Sequence, residues 1–286
     1  FAHMYAAYPH LAQILRVGLP ALLLAQFIIW PIIGLTFPHA GIIVAETTIL
    51  WFMALYIRRH QLVAEDLLLL NATPGVALLL TAPLAFCCSL IVAELDLYLA
   101  QFLRQLDWSM PLSFQKNLLE IQLIRDYAEA PLGLAALVLV PALCEELFFR
   151  GFVFTGLYAH YGPRWALLGS SVFFAGSHFN PWQFLPLLVF GLFLGALVHW
   201  THSIYPAILA HAINNLASVA GINLRTYWGL EDFGPSQHLP LHLALLALLA
   251  LLAGLFLLRR QPTIMPLLIG RETSEEVPPA HPPNDN

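Results

Sequence analysis

The stretch PALCEELFFRG, residues 141–151, lies between the apolar runs LGLAALVLV and FVFTGLYAHY. Together the three pieces are long enough to cross a bilayer, since a transmembrane helix needs roughly 20 apolar residues. Glu145 and Glu146 stand in the middle of this run, and Arg150 follows one helical turn later. A charge at membrane depth is costly unless it is paired or faces a cavity. The stretch therefore predicts a membrane helix that carries a buried polar site.

The composition of the whole chain is that of a polytopic membrane protein. The 286 residues are 59% hydrophobic and only 10% charged, with a mean hydropathy of +0.74, whereas soluble domains carry about 25% charged residues. No basic patch interleaved with aromatic residues suggests a nucleic-acid partner. All three cysteines lie in apolar runs, which predicts small buried side chains and no disulfide framework.

We predict an all-α fold, a membrane helix bundle with about eight transmembrane helices. Residues 96–130 mix charged and apolar residues at helical spacing, which predicts an amphipathic segment at the interface. Pro20 and Pro31 predict a kink or break in the first span. The eight apolar runs are about 11–36, 40–57, 75–95, 131–159, 164–180, 183–200, 203–222 and 239–258.

The chain divides by composition into four parts. We predict N-terminal membrane helices and the amphipathic segment in 1–130, a catalytic core in 131–222, a loop and last span in 223–260, and a disordered polar tail in 261–286. The distribution of Lys and Arg between the short loops predicts that both termini are cytoplasmic. The expected location is the plasma (inner) membrane.

Three short patterns place polar residues deep in the predicted spans. They are Glu145-Glu146-x-x-x-Arg150, Phe174-x-x-x-His178 and His211-x-x-x-Asn215. At about 1.5 Å per residue, Glu145 and His178 lie roughly 22 and 21 Å from the same membrane surface, and His211 lies about 13 Å deep. Overlapping depths allow these helices to gather their polar side chains around one cavity, where intramembrane ionisable residues normally meet.

Helical geometry assigns different neighbours to the two glutamates. Glu146 and Arg150 are four residues apart and can pair on one face, whereas Glu145 points about 100° away. A carboxylate beside a neutral imidazole in a cavity of low dielectric can act as a general base for water, which suggests Glu145 with His178. His211 and Asn215 share a face and can stabilise an oxyanion.

Other interpretations of the same residues remain open. Glu146 and Arg150 can form a purely structural ion pair, and a membrane histidine often makes only an interhelical hydrogen bond. Glu146, His178 and His211 can alternatively ligate Zn²⁺ and leave a position for water, although their spacing matches no standard zinc motif. A proton-coupled transporter would also place acids and histidines in the membrane.

The three patterns, in this order on successive membrane helices, resemble the type II CAAX prenyl endopeptidase and bacteriocin-processing family, also called CPBP or Abi intramembrane proteases. The resemblance covers about 130–222. It implies that Glu145 activates water with help from His178, and that Glu146 pairs with Arg150. It further implies that His211 and Asn215 bind the oxyanion and that Phe174 lines the cavity.

The resemblance also implies a peptide or protein substrate, which is prenylated in some members of the family. Members are described both as metalloproteases and as metal-independent glutamate proteases. We favour the metal-independent mechanism, without a cofactor, because no closed set of three ligands is visible in the sequence. A non-enzymatic immunity or partner-binding membrane protein is the main competing hypothesis. The sequence leaves the oligomeric state open.

Overall fold

The structure, a computed structural model, describes residues 8–228 and 238–260. The described residues form helices and no strand, which confirms the predicted all-α fold. The helices are α1 (Leu11–Gly34), α2 (Pro38–Arg59), α3 (Ala64–Leu67), α4 (Gly75–Gln105), α5 (Leu112–Gln122), α6 (Ala130–Tyr161), α7 (Pro163–Ser177), α8 (Phe184–Thr201), α9 (Tyr205–Trp228) and α10 (Leu241–Arg259).

Seven helices in the described part of the chain, namely α1, α2, α4, α6, α8, α9 and α10, are long and apolar enough to cross a membrane. A helix in lipid satisfies its backbone polar groups internally, which explains why apolar runs of this length fold as helices. The predicted span 164–180 is the exception, because α7 has only 15 residues, fewer than the roughly 20 that a bilayer requires.

The amphipathic segment is shorter than predicted. Helix α4 runs on to Gln105 without a break at the predicted end of the span. Only α5 is a separate amphipathic helix, and none of its residues is buried. Its end is tied to α9, where Asn223 donates to the Gln122 carbonyl at 2.9 Å and accepts from the Ile124 amide at 2.8 Å. The predicted disordered tail, 261–286, lies outside the described residues.

Two helices contain wide π-helical turns. In α1, the residues Ala25–Gly34 are π-helical and include Pro31, where the sequence predicted a kink or break. In α6, the residues Ala135–Leu139 and Leu147–Val153 are π-helical. Such turns interrupt the regular hydrogen bonding of an α-helix and are frequent at functional sites. The second π segment of α6 contains Arg150 and directly follows the two glutamates.

Helix α6 occupies the centre of the bundle. In its most apolar window 56% of the residues are buried, more than in any other candidate span that the structure describes. Phe148, Phe149 and Phe152 on this helix are each at most 1% exposed. From Glu146 to Leu157 the residues of α6 are almost all buried, so Glu146 and Arg150 lie inside the protein, whereas Leu139 and Leu143 earlier in the helix are exposed.

The start of α9 is fixed by a cross-connection between two loops. Asn71 donates to the His202 carbonyl at 2.7 Å, and Ser203 donates to the Asn71 carbonyl at 2.7 Å. The Ile204 amide donates to the Leu69 carbonyl at 3.1 Å. These bonds hold the N-terminal end of α9, and hence the register of His211 and Asn215, against the loop that precedes α4.

Candidate active site

The site begins with a fully buried ion pair on α6. Glu146 and Arg150 are both 0% exposed, and the Arg150 Nη1 donates to Glu146 Oε1 at 3.1 Å. Arg150 Nη2 donates to the carbonyl of Gly191 on α8 at 3.0 Å. A buried charge is tolerated when it is paired and hydrogen-bonded, so this arginine ties α6 to α8 through the protein interior.

His211 joins the same carboxylate from α9. Its Nδ1 lies 2.8 Å from Glu146 Oε1, and the residue is 3% exposed. The ring packs edge-to-face against Phe174 and Phe190, with centroid distances of 5.9 and 5.5 Å. A carboxylate that accepts from Nδ1 fixes the ring orientation and leaves Nε2 to act on another group.

Phe174 lies at the centre of the predicted residues. Its ring is 4.4 Å from the Arg150 guanidinium carbon and 4.9 Å from the centroid of the His178 ring. His178 Nδ1 lies 2.8 Å from the Phe174 carbonyl oxygen. A carbonyl only accepts, so Nδ1 carries the proton, and Nε2 of neutral His178 is then a proton acceptor.

Glu145 does not share the surroundings of Glu146. It is half-buried, and its side chain interacts with the carboxyl group of Glu46 on α2. The interaction of Glu145 with His178 stays a prediction, since the contacts described for His178 are to Phe174. Asn215 lies one turn beyond His211 on α9, where its Oδ1 accepts from Asn214 Nδ2 at 3.5 Å.

Sequence reasoning missed Glu46. It is the one acidic residue of the apolar run 40–57, which contains no basic residue. The reasoning that singled out Glu145, a carboxylate where lipid or core is expected, applies equally to this position. No motif draws attention to it, because its partner lies on another helix far along the chain.

The alternative zinc ligands do not form a ligand set in the structure. Within residues 8–228 and 238–260, no group of three His, Cys, Asp or Glu side chains has the arrangement of a metal site. Glu146 Oε1 accepts from both Arg150 and His211, whereas its Oε2 is buried without a hydrogen-bond partner among the described residues. Glu146, His178 and His211 thus do not form a zinc site in this arrangement, because their side chains are not grouped as a set of three ligands.

An apolar groove runs beside the site between α1 and α7. Its volume is about 650 Å³, and it is lined almost entirely by apolar atoms, from residues including Leu15, Leu19, Trp165 and Val172. One end reaches Ser177 and Phe179, the residues on either side of His178. The groove therefore leads from the apolar surface of α1 to the segment that carries His178.

The comparisons with known proteins agree with the geometry. Residues 128–217 match the family model described as type II CAAX prenyl endopeptidase Rce1-like. This segment is Rce1-like. The resemblance predicted from the three motifs is thereby confirmed, and all of the motif residues from Glu145 to Asn215 lie inside the Rce1-like segment. No curated protein and no solved structure matches the chain significantly.

The Rce1-like segment is less than half of the chain and corresponds to α6, α7, α8 and the first half of α9. This segment and the seven apolar helices of membrane-spanning length indicate an integral membrane protein, and the similarity to type II CAAX prenyl endopeptidases is carried by residues 128–217. Glu46 on α2 precedes the Rce1-like segment. The predicted four-part division of the chain and the predicted cytoplasmic termini stay predictions.

Proposed function

We propose that the protein is an intramembrane endopeptidase that hydrolyses a peptide bond with a water activated by Glu145 and His178. The observation that carries the proposal is the buried cluster of Glu146, Arg150 and His211 inside the Rce1-like segment. Three ionisable side chains are buried together at the centre of a membrane bundle, and they orient the imidazole of His211. Packing alone does not require such a cluster, which indicates a functional site.

In the proposed reaction Glu145 acts first as a base and then as an acid, and other residues of the site make hydrogen bonds to the reacting groups. Glu145 takes a proton from water while the water oxygen attacks the peptide carbonyl carbon, and His178 Nε2 accepts a hydrogen bond from the same water. His211 and Asn215 stabilise the tetrahedral oxyanion. When the C–N bond breaks, the proton held by Glu145 passes to the leaving amine, so atoms and charge balance.

The ion pair acts on His211 and not on the water. Glu146 holds the imidazole by Nδ1 and would balance a positive charge on the ring while Nε2–H donates to the oxyanion. Arg150 fixes Glu146 in turn, with Phe174 stacked on its guanidinium. Such residues preorganise the donors and lower the cost of reorienting them during the reaction.

The proposed substrate is a peptide or protein segment that reaches the site from the bilayer. The groove between α1 and α7 supports a substrate with an apolar chain, since about 650 Å³ of apolar space reaches Ser177 and Phe179, the chain neighbours of His178. The resemblance suggests a prenylated C-terminal peptide as the first candidate, with unmodified peptides as the comparison.

The test is a cleavage assay with purified protein in detergent, using matched prenylated and unmodified peptide libraries. We expect Glu145→Ala and His178→Ala each to lower kcat by about 10²–10⁴-fold, the usual contribution of a general base. Glu120→Ala and His242→Ala, at exposed positions outside the site, are the matched controls. Activity that survives both site substitutions would disprove the assignment of the base.

Two further arms separate the competing hypotheses. Loss of cleavage with a chelator, restored by added zinc, would favour the metal mechanism over the one proposed. The absence of cleavage of any peptide by folded wild-type protein would favour a non-enzymatic membrane protein that binds a partner.

A further inference from the structure

Glu46 lies outside the Rce1-like segment, yet its carboxyl group reaches the site. It is half-buried on α2, a helix that packs along α6. The neighbouring hydroxyls are occupied on their own helix, because Thr47 donates to the Ile43 carbonyl and Thr48 to the Val44 carbonyl, each at 2.7 Å. Neither hydroxyl therefore donates to the carboxyl group of Glu46.

The partner of the Glu46 carboxyl group is Glu145. The two carboxyl groups are in hydrogen-bonding contact. One oxygen of each, Oε2, is buried, and neither receives a hydrogen bond from an N–H or hydroxyl donor of the described residues. Two ionised carboxyl groups in contact in a low-dielectric interior repel each other unless a proton lies between them. The geometry therefore implies a hydrogen bond between a carboxylic acid and a carboxylate.

The electrostatic surroundings indicate which group is the carboxylate. Glu145 lies near enough to the Arg150 guanidinium to interact with it electrostatically, whereas Glu46 lies on α2 with apolar neighbours such as Ile43, Ala45 and Ile49 in its own sequence. A negative charge is more stable near the cation than among apolar side chains. Glu46 is then the neutral donor and Glu145 the acceptor.

We propose that Glu46 is a positioning residue for Glu145, donating a carboxylic-acid hydrogen bond that fixes one carboxylate oxygen and directs the other at the attacking water. The inference rests on the proposed hydrolytic function for its catalytic consequence. The hydrogen bond itself does not depend on that function. The proposal gives a role in the site to α2, a helix outside the residues that the family model matches.

The test compares Glu46→Gln with Glu46→Ala in the cleavage assay. Gln keeps a neutral donor at this position, so we expect it to retain kcat within about threefold, whereas Ala lowers kcat by at least about tenfold with little change in KM. Glu120→Gln, at an exposed position, and Thr48→Val, two residues from Glu46, are the chemical and positional controls. Equal losses with Gln and Ala would overturn the proposal, because the site would then need the negative charge of Glu46 and not a neutral hydrogen-bond donor.

An infrared measurement tests the hydrogen bond without any cleavage assay. We expect the wild-type protein to show the absorption of a protonated buried carboxyl group, and Glu46→Gln to lose it while Glu120→Gln keeps it. An unchanged spectrum in Glu46→Gln would overturn the proposal. If cleavage is absent altogether but this absorption disappears as expected, the proposed function has failed and the carboxyl pair stands.

A double substitution covers the case in which Glu46→Ala folds poorly. The hydrogen bond predicts that Glu46→Ala lowers the melting temperature less in a Glu145→Gln background than in the wild type, since the two residues act as a pair. Additive losses in the double variant would count against the contact.

Discussion

Arg150 is the largest fully buried side chain among the described residues, and it satisfies its charge through three kinds of contact. It pairs with Glu146, donates to the Gly191 carbonyl and stacks on Phe174. The sequence predicted that Glu146 and Arg150 can pair, because residues four apart share a helix face. It did not predict that His211 shares the same carboxylate, since the rotation of α9 about its axis does not follow from a motif.

The ion pair leads to a stability prediction. Arg150→Met leaves the Glu146 carboxylate buried without its cation, and we expect it to lower the free energy of unfolding by about 3–5 kcal/mol. The double variant Glu146→Gln with Arg150→Met removes both charges and should lose less. Unfolding in mixed micelles measures the free energy of unfolding of the single and the double variant. Arg58→Met, at an exposed position, is the control, and we expect it to change this free energy by less than about 0.5 kcal/mol. A double variant as unstable as Arg150→Met would show that the charge pair is not the cause.

At the scale of helices, hydropathy located the apolar runs well and their ends poorly. Seven of the eight predicted spans correspond to helices that are long enough to cross a membrane. The exception, α7, ends at Ser177 because His178, Asn180 and Gln183 form a polar turn, in which Asn180 donates to Gln183 at 2.7 Å. The π turns of α6 were not predictable, since their residues, LFFRGFV, have no composition that distinguishes a π-helix from an α-helix.

Close approach of α8 to α6 and α7 depends on Gly191. A Cβ added there would lie 3.1 Å from Ser171 Cβ and 3.3 Å from the Arg150 guanidinium. We expect Gly191→Ala to lower the free energy of unfolding by about 1–3 kcal/mol through overpacking, and to reduce kcat by displacing the arginine. Gly221→Ala is the control, because a Cβ at Gly221 meets no atom within 4 Å and alanine favours a helix. Equal stability of the two variants would contradict this account.

At the scale of the whole molecule, the site is assembled from distant parts of the chain. Glu46 comes from α2, Glu145, Glu146 and Arg150 from α6, and His211 from α9. The Rce1-like segment supplies the motif residues, and an earlier helix supplies a carboxyl group that no motif contains. This explains why residue patterns identified the segment, whereas the neighbours of each residue required the packed bundle.

The loop connection that holds α9 predicts a pH effect on global stability. Burial, and then the nearby His199, lower the pKa of His202 from its ordinary value of 6.5. The unfolded chain therefore binds a proton that the folded protein excludes, so the folded state loses stability as the pH falls below about 6.5. We expect the melting temperature to fall over this window.

His202→Asn isolates that contribution. The backbone at this position is left-handed, with φ +52°, a conformation that asparagine also tolerates. We expect the variant to keep the Asn71 contact to the backbone and to show a smaller drop in melting temperature between pH 7 and pH 5 than the wild type. His242→Asn, at an exposed position, serves as the control. A wild-type drop that persists undiminished in His202→Asn would assign the effect to other groups.

The wide turns Leu147–Val153 have a consequence for how this chain can change over evolution. A π turn accommodates more residues than an α turn, so it acts as a local insertion within a helix that is otherwise continuous. Loss of one residue here would restore regular α-helical winding, so the parts of α6 on either side would keep their orientation relative to each other. A single deletion is thus easier to accommodate in this segment than in the regular turns of α6, where it would rotate the remainder of the helix by about 100°.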